Sequence, residues 1–171
     1  MRVLIFGDVF GRPGRTAILD RIQDLREQYA ADLTILNGEN VAGGSSITQP
    51  IAEQFFQNGI DVITGGNHSF DKPESVIYLD KQPRVLRPAN YPPGTPGKGL
   101  FIGETKSGVP FAVMNYIGRV FMAPNAGDPF RAADEAVKSI PEDVKVRIVD
   151  MHAEATSEKY AMGWFLDGRV S

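Results

Sequence analysis

Asp61-Val62-Ile63-Thr64-Gly65-Gly66-Asn67-His68-Ser69-Phe70-Asp71 is the stretch on which the fold turns. A short run rich in β-branched residues ends in two glycines, and two polar side chains with ligand or proton-transfer chemistry follow at once. That is the pattern of a buried strand running into a chemically equipped loop. The same syntax occurs twice before it. Val3-Leu4-Ile5-Phe6 gives Gly7-Asp8, and Leu33-Thr34-Ile35-Leu36 gives Asn37-Gly38-Glu39-Asn40. Helical spacing fills the intervals: Ile18, Ile22 and Leu25 within Arg15 to Tyr29, then Ile51, Phe55 and Phe56 between a Thr48 cap and the Gly59 stop. Strand, helix, strand, helix, strand predicts parallel βαβ units and an α/β sandwich. Arg2–Phe6, a continuous apolar run, reads as a strand buried on both faces.

The rhythm changes after Asp71. A short helix is expected from Lys72 to Leu79 and a brief strand over Arg84–Leu86. Arg87 to Gly97 holds four prolines and cannot be regular structure, so it reads as a stiff surface loop. Leu100–Thr105 and Val109–Gly118 form a hairpin about Ser107-Gly108. A second Pro-containing loop, Phe121–Pro129, precedes a helix over Phe130–Ile140. Lys145–Val149 reads as a further buried strand that delivers Asp150-Met151-His152. Thr156 or Ser157 is expected to cap a last helix running to Asp167. Arg169-Val170-Ser171 looks like the start of another strand.

Composition narrows the chemistry. The chain has 171 residues, 42% apolar and 23% charged, an ordinary balance for one globular domain. A net charge of −3 with no basic run argues against direct nucleic-acid binding by charge. There is no cysteine, so any metal must be held by oxygen and imidazole nitrogen. The first apolar run is too short for a signal peptide and no run has transmembrane length, which makes the cytoplasm the expected location and no membrane association the expectation. Exposed loop aromatics such as Tyr91 and Phe121 would permit a homo-oligomer.

Open α/β sheets keep their sites at the C-terminal ends of strands. Four such ends here carry Asp8, Glu39-Asn40, Asn67-His68 and His152, and these include both histidines of the chain. Each has an ordinary reading by itself: Asp8 as a turn cap, Glu39 as a solvated loop residue, Asn67 as turn chemistry, His68 as a surface histidine. Their coincidence is what a di-metal hydrolase needs: a shared carboxylate, terminal ligands and a proton donor around two cations about 3.5–4 Å apart. Walker A, G-x-G-x-x-G and G-x-S-x-G signatures are absent. Gly43-Gly44 and Gly65-Gly66 are therefore read as points of close backbone approach.

Gly7-Asp8, Asn37-Gly38-Glu39-Asn40, Gly66-Asn67-His68 and a late strand-end histidine resemble the calcineurin-like metallophosphoesterase superfamily. Gly7-Asp8-Val9-Phe10-Gly11, Asn37 to Gly44, Arg87-Pro88-Ala89-Asn90-Tyr91-Pro92 and His152 to Lys159 resemble its YmdB-type branch, along the whole of Met1 to Ser171. The resemblance implies a two-sheet α/β sandwich flanked by helices, and a bacterial, cytoplasmic, metal-dependent phosphodiesterase acting on 2′,3′-cyclic nucleotides. It implies a pair of iron or manganese ions. Asp8 is similar to a first-metal ligand, Glu39 to the bridging carboxylate, and Asn40 to a first-metal or phosphate-facing residue. Asn67 and His152 are similar to second-metal ligands. His68 is similar to the general acid that protonates the leaving oxygen after attack by a bridging hydroxide. Phe10 stands where the wider superfamily has a histidine ligand, a feature the branch shares.

In the branch, a strand continues after the segment matching Leu166 to Ser171 into a Gly-Thr-His-Thr-His motif that supplies one histidine to each metal. Residues 1–171 are accordingly expected to be a single metallophosphoesterase domain, incomplete at its C-terminus. The alternative function is a catalytically weak or inactive regulatory or binding protein on the same fold. A metal-independent sugar-phosphate enzyme is a third reading, marked by resistance to chelators.

Overall fold

The computed structural model describes all 171 residues. Their order is β1 (Val3–Asp8), α1 (Gly11–Tyr29), β2 (Leu33–Asn37), α2 (Gln49–Gln57), β3 (Val62–Thr64), α3 (Pro73–Lys81), β4 (Leu100–Glu104), β5 (Pro110–Ile117), α4 (Pro129–Ser139), β6 (Val146–His152) and α5 (Thr156–Leu166). Strands β1, β2 and β3 pair in that order, all parallel. The second sheet has the order β4-β5-β6, with an antiparallel β4–β5 hairpin and a parallel β5–β6 pair.

Period-two alternation sorts the side chains into layers. On β2, Leu33 and Ile35 pack with Val62, Leu86, Phe111 and Val113 between the sheets. Leu36, on the other face, packs with Ile22, Phe55 and Leu79 from α1, α2 and α3. On β5, Ala112, Met114 and Tyr116 turn away from the first sheet and meet Ala133 and Val137 of α4 and Met162 and Leu166 of α5. The result is helices, sheet, sheet, helices: the two-sheet α/β sandwich expected from the sequence.

Several local expectations change. Strands β2 and β3 are buried throughout and β5 is buried beyond its first residue, but β1 and β6 are not. Each lies last in its sheet with a neighbour on one side only, and Ile5 is 58% exposed, whereas β3, also last, is covered on its outer side by the segment that bridges Ile63 through Val85. An apolar run shows that a segment can be a strand; it does not show its place in the sheet. Helix α1 starts at Gly11 rather than Arg15, because Pro13 is tolerated in a first turn where its missing N–H has no partner to lose. Arg84–Leu86 is not a strand; it makes only isolated bridges, Ile63 with Val85 and Leu86 with Lys98. Thr48 does sit at the N-cap of α2, and Ala155 takes that place in α5, but neither caps through its side chain. Only α4 has a side-chain cap: Asp128 accepts from the N–H groups of Phe130 and Arg131. Ser171 lies beside β6 and donates its N–H to Arg147 O at 2.8 Å. No helix is long and apolar enough to cross a membrane.

Candidate active site

Parallel register brings strand ends together: Asp8 lies opposite Asn37, and Asn37 opposite Thr64. Strand β6 ends at the same place because the sheets are tied there by polar contacts. The Thr64 hydroxyl donates to the Asp150 carboxylate, and Asn37 Nδ2 lies 3.3 Å from the same oxygen. Asn115 Oδ1 of β5 accepts from Gly65 N–H at 3.1 Å. Burial drives the Asp150 pKa up, against the hydrogen bonds from Thr64 and Asn37.

Glu39 is the hub of the polar cluster. It is only 2% exposed, so its charge needs donors. The Glu39 carboxylate receives Asn40 Nδ2 at 3.2 Å, His152 Nε2 at 3.0 Å and the backbone N–H of His68 at 3.1 Å. Asn40 Nδ2 also reaches both Asp8 oxygens, at 3.0 and 2.9 Å. His152 Nε2 is also 2.9 Å from Asn67 Oδ1. Asp8, Glu39, Asn40, Asn67 and His152 thus form one connected network, drawn from the ends of four strands. All five are the residues that the sequence marked for metal.

Gly66 explains why the third strand must end in glycine. A Cβ there would overlap the Glu39 carboxylate and stand 2.6 Å from His152 Cδ2. The two ligand-type side chains lie directly on a bare backbone. Desolvation pulls the His152 pKa down, but the Glu39 hydrogen bond and the charges of Glu39, Asp150 and Asp8 prevail and hold it above its usual value.

His68 hangs from the same network by its backbone, and its ring pairs with Asp71. Nδ1 lies 2.6 Å from Asp71 Oδ2, and both side chains are more than 40% exposed (43% and 42%). With Nδ1 engaged, Nε2 has no protein partner and is free to face a ligand. The loop is pinned from outside: Ser46 Oγ donates to His68 O at 2.6 Å, and Tyr91 OH donates to Gly66 O at 3.1 Å.

Tyr91 departs from expectation. It is buried rather than an exposed loop aromatic, and packs against Phe70 with ring centroids 5.6 Å apart. Burial, with Glu39 and Asp71 nearby, pushes its pKa up to about 12, so it remains a donor at working pH. Phe121 is exposed as expected. Asp71, Tyr91 and Asp150 were not assigned roles from sequence. Asp71 had one available signal, its i+3 spacing from His68 within a turn. Tyr91 and Asp150 had none, since their partners lie far away along the chain.

The donor set suits cations that accept oxygen and imidazole ligands. No three His, Asp or Glu side chains converge on one point by themselves, so the amide oxygens of Asn40 and Asn67 would have to complete any coordination. A half-turn of the Asn40 amide would exchange its Nδ2 for Oδ1 beside Asp8 and Glu39.

A two-sheet sandwich with carboxylates, amides and imidazoles at its strand ends is the architecture of a metallophosphoesterase-type protein. The family model for YmdB-like protein matches residues 4–171, and the chain belongs to that family. It is 44% identical over 171 residues to the 2′,3′-cyclic-nucleotide 2′-phosphodiesterase of Bacillus subtilis, covering 100% of this chain and 64% of that protein. A crystal structure of a hypothetical protein from Thermus thermophilus superposes with a TM-score of 0.91 at 42% identity, covering 100% of this chain and 65% of the other. A phosphatase structure from Mycoplasma pneumoniae gives 0.89 at 29% identity, covering 99% and 61%. The chain therefore spans just under two thirds of the length of these relatives.

Proposed function

We propose that the strand-end site performs metal-dependent hydrolysis of phosphodiesters, with nucleoside 2′,3′-cyclic phosphates as the substrate class. One observation carries the reading: Asp8, Glu39, Asn40, Asn67 and His152 meet in a single hydrogen-bonded network, with His68 tied to it by its backbone N–H and its ring at the margin beside Asp71. The activity named for the Bacillus relative supports the substrate class.

Asp8, Glu39, Asn40, Asn67 and His152 would hold a pair of ions, iron or manganese, with Glu39 shared because it touches both the Asn40 and the His152 sides. When bound, such a pair supplies charge for the phosphoryl oxygens and a nucleophile at neutral pH. The remaining work falls to the chain. To hold an ion through Nε2, His152 would have to be unprotonated at that atom, and Gly66, which has no side chain, lets Glu39 and His152 lie together against its backbone. Asn40, beside Asp8 at the open side, orients a phosphoryl oxygen. His68 donates from Nε2 to the departing alkoxide, while Asp71 keeps the proton on Nδ1 and the ring in place.

The test pairs metal content with turnover, after reconstitution with Mn²⁺ or Fe²⁺. Two substrates are compared: a nucleoside 2′,3′-cyclic phosphate and bis-p-nitrophenyl phosphate. His68→Ala should retain metal and lose roughly 10²–10⁴-fold in turnover of the cyclic nucleotide, whose alkoxide needs a proton. The loss should be smaller with p-nitrophenolate, a leaving group that departs unprotonated. Glu39→Gln should lose metal; a fully loaded and active Glu39→Gln would refute the shared-ligand role. A folded wild type with neither metal nor turnover would instead be a regulatory or binding protein on this fold.

A further inference from the structure

Phe10 obeys none of the rules that place an aromatic residue. It occupies the N-cap of α1, where Ser, Thr, Asp or Asn would satisfy a free N–H, and it makes no side-chain cap. It is 64% exposed and belongs to no hydrophobic cluster. A residue that breaks local rules without serving the core is the kind expected at a functional site.

Its placement is specific. Asp8 ends β1 and Phe10 is again extended, at φ −97° and ψ 121°, the backbone in which side chains alternate. Val9, between them, is buried in the core under α1. Asp8 and Phe10 therefore project together, away from the core and on the side of the carboxylate cluster. The loop that carries Asn40 closes under the ring. Gly11 N–H and Gly44 N–H both donate to Asn40 O, at 2.8 and 3.2 Å. The far edge of the ring rests on Gly44, where a Cβ would stand 3.1 Å from Cζ. Gly44 has φ +101°, a conformation that suits glycine, so the support stays free of a side chain. Gly7 and Gly43 nearby leave open space: a Cβ at either would meet nothing within 4 Å. A planar hydrophobic surface is thus held, backed by glycine backbone, at the margin of a cluster suited to a phosphodiester.

We propose that Phe10 is the platform on which the substrate's nucleobase stacks, making it a specificity-determining residue that selects nucleotides over phosphodiesters without a base. This rests on the reading of the site as a phosphodiesterase centre. Stacking tolerates any base, because every base has a π-face, so the selection is for a base and not for its identity.

The test compares two cyclic phosphodiesters, adenosine 2′,3′-cyclic phosphate and methyl riboside 2,3-cyclic phosphate, which differ in the base. The quantity read is the ratio of their kcat/KM values. Phe10→Ala should lower that ratio roughly 5- to 100-fold. Phe10→Trp should keep or raise it. A ratio that stays within about twofold of wild type in Phe10→Ala overturns the proposal, since stacking would then be worth almost nothing. If the wild type turns over neither compound, the phosphodiesterase reading fails and Phe10 is judged on binding. Calorimetric titration with adenosine 3′-monophosphate and ribose 5-phosphate then reads the base preference directly. A preference that Phe10→Ala abolishes supports the platform, and no preference in the wild type sinks it.

Discussion

Asn67 and His68 are neighbours in sequence, yet their side chains part company. Asn67 joins His152 inside the cluster, while His68 pairs with Asp71 outside it. The proton donation proposed for His68 therefore depends on a residue three positions away. Asp71→Asn should keep metal and lower turnover of the cyclic nucleotide by about 10–100-fold, less than loss of the ring itself. The defect should shrink on bis-p-nitrophenyl phosphate, because that leaving group needs no acid; an equal defect on both would assign Asp71 a structural role. The strand-end residues are legible in the sequence because each comes within a few residues of the end of an apolar run. Asp71 is not, since an aspartate in a turn ordinarily serves the turn. His152 adds a pH dependence. Its native pKa lies above the usual value, so the fold favours the imidazolium. That contribution to stability is fully present below about pH 6.5, the unfolded value, and is lost as pH rises through the native pKa. In metal-free protein, urea unfolding at pH 6 and pH 9 should show wild type losing more stability than His152→Gln over this interval. Parallel losses would remove the Glu39–His152 ion pair as a stabilising feature.

Among the elements, the proline-rich segment gained the most from three dimensions. Its prolines mark it as a loop, and it is one, but it is also a brace. Asn90, only 5% exposed, donates to Ile117 O at 2.8 Å and Gly127 O at 2.9 Å, and accepts from Ile117 N–H at 2.9 Å. One side chain thereby joins the segment to the end of β5 and to the loop before α4. Its next neighbour, Tyr91, holds the Gly66 peptide on which Glu39 and His152 rest. Glu158 of α5 makes a second brace: its carboxylate accepts from Arg119 N–H at 2.9 Å and Val120 N–H at 3.1 Å. Asn90→Ala removes three hydrogen bonds from a buried position, at about 1 kcal/mol each, so a loss of about 3 kcal/mol is expected in denaturant unfolding. A change under about 0.5 kcal/mol, the range of a neutral surface substitution, would mean the segment is held by other contacts. Periodicity located almost every helix and strand because it reports what lies above and below a segment. It is silent about what lies beside one, which is why β1 and β6 were read as buried and why Arg84–Leu86 was read as a strand. Loops such as Arg87–Gly97 have no period at all, and their hydrogen bonds reach partners far along the chain.

In the whole molecule, the site is also the place where the two sheets are joined. Asp8, Glu39, Asn40 and Asn67 follow strands of the first sheet, and His152 ends the outer strand of the second. Between them the apolar interface is modest, centred on Leu33, Ile35, Val62, Leu86, Phe111 and Val113. Polar ties through Asp150 and Asn115 close its upper end. Anything that binds Asp8, Glu39 and His152 together therefore bridges both sheets, and binding free energy becomes resistance to their separation. At a free Mn²⁺ concentration 100 times the dissociation constant, the native state gains about 2.7 kcal/mol. For a chain of this size each kcal/mol raises Tm by about 2–4 °C, so a rise of roughly 5–11 °C is expected and should vanish on adding a chelator. Glu39→Gln and His152→Gln should each abolish most of the rise, because each removes one side of the bridge. His68→Ala should keep it, since that ring pairs with Asp71 and stands outside the donor set. Differential scanning calorimetry of the four proteins, with and without Mn²⁺, decides the matter. A wild-type Tm indifferent to Mn²⁺ would show that the cluster is held together by its own hydrogen bonds and recruits no ion, and a shift that survives in Glu39→Gln would remove Glu39 as the shared ligand.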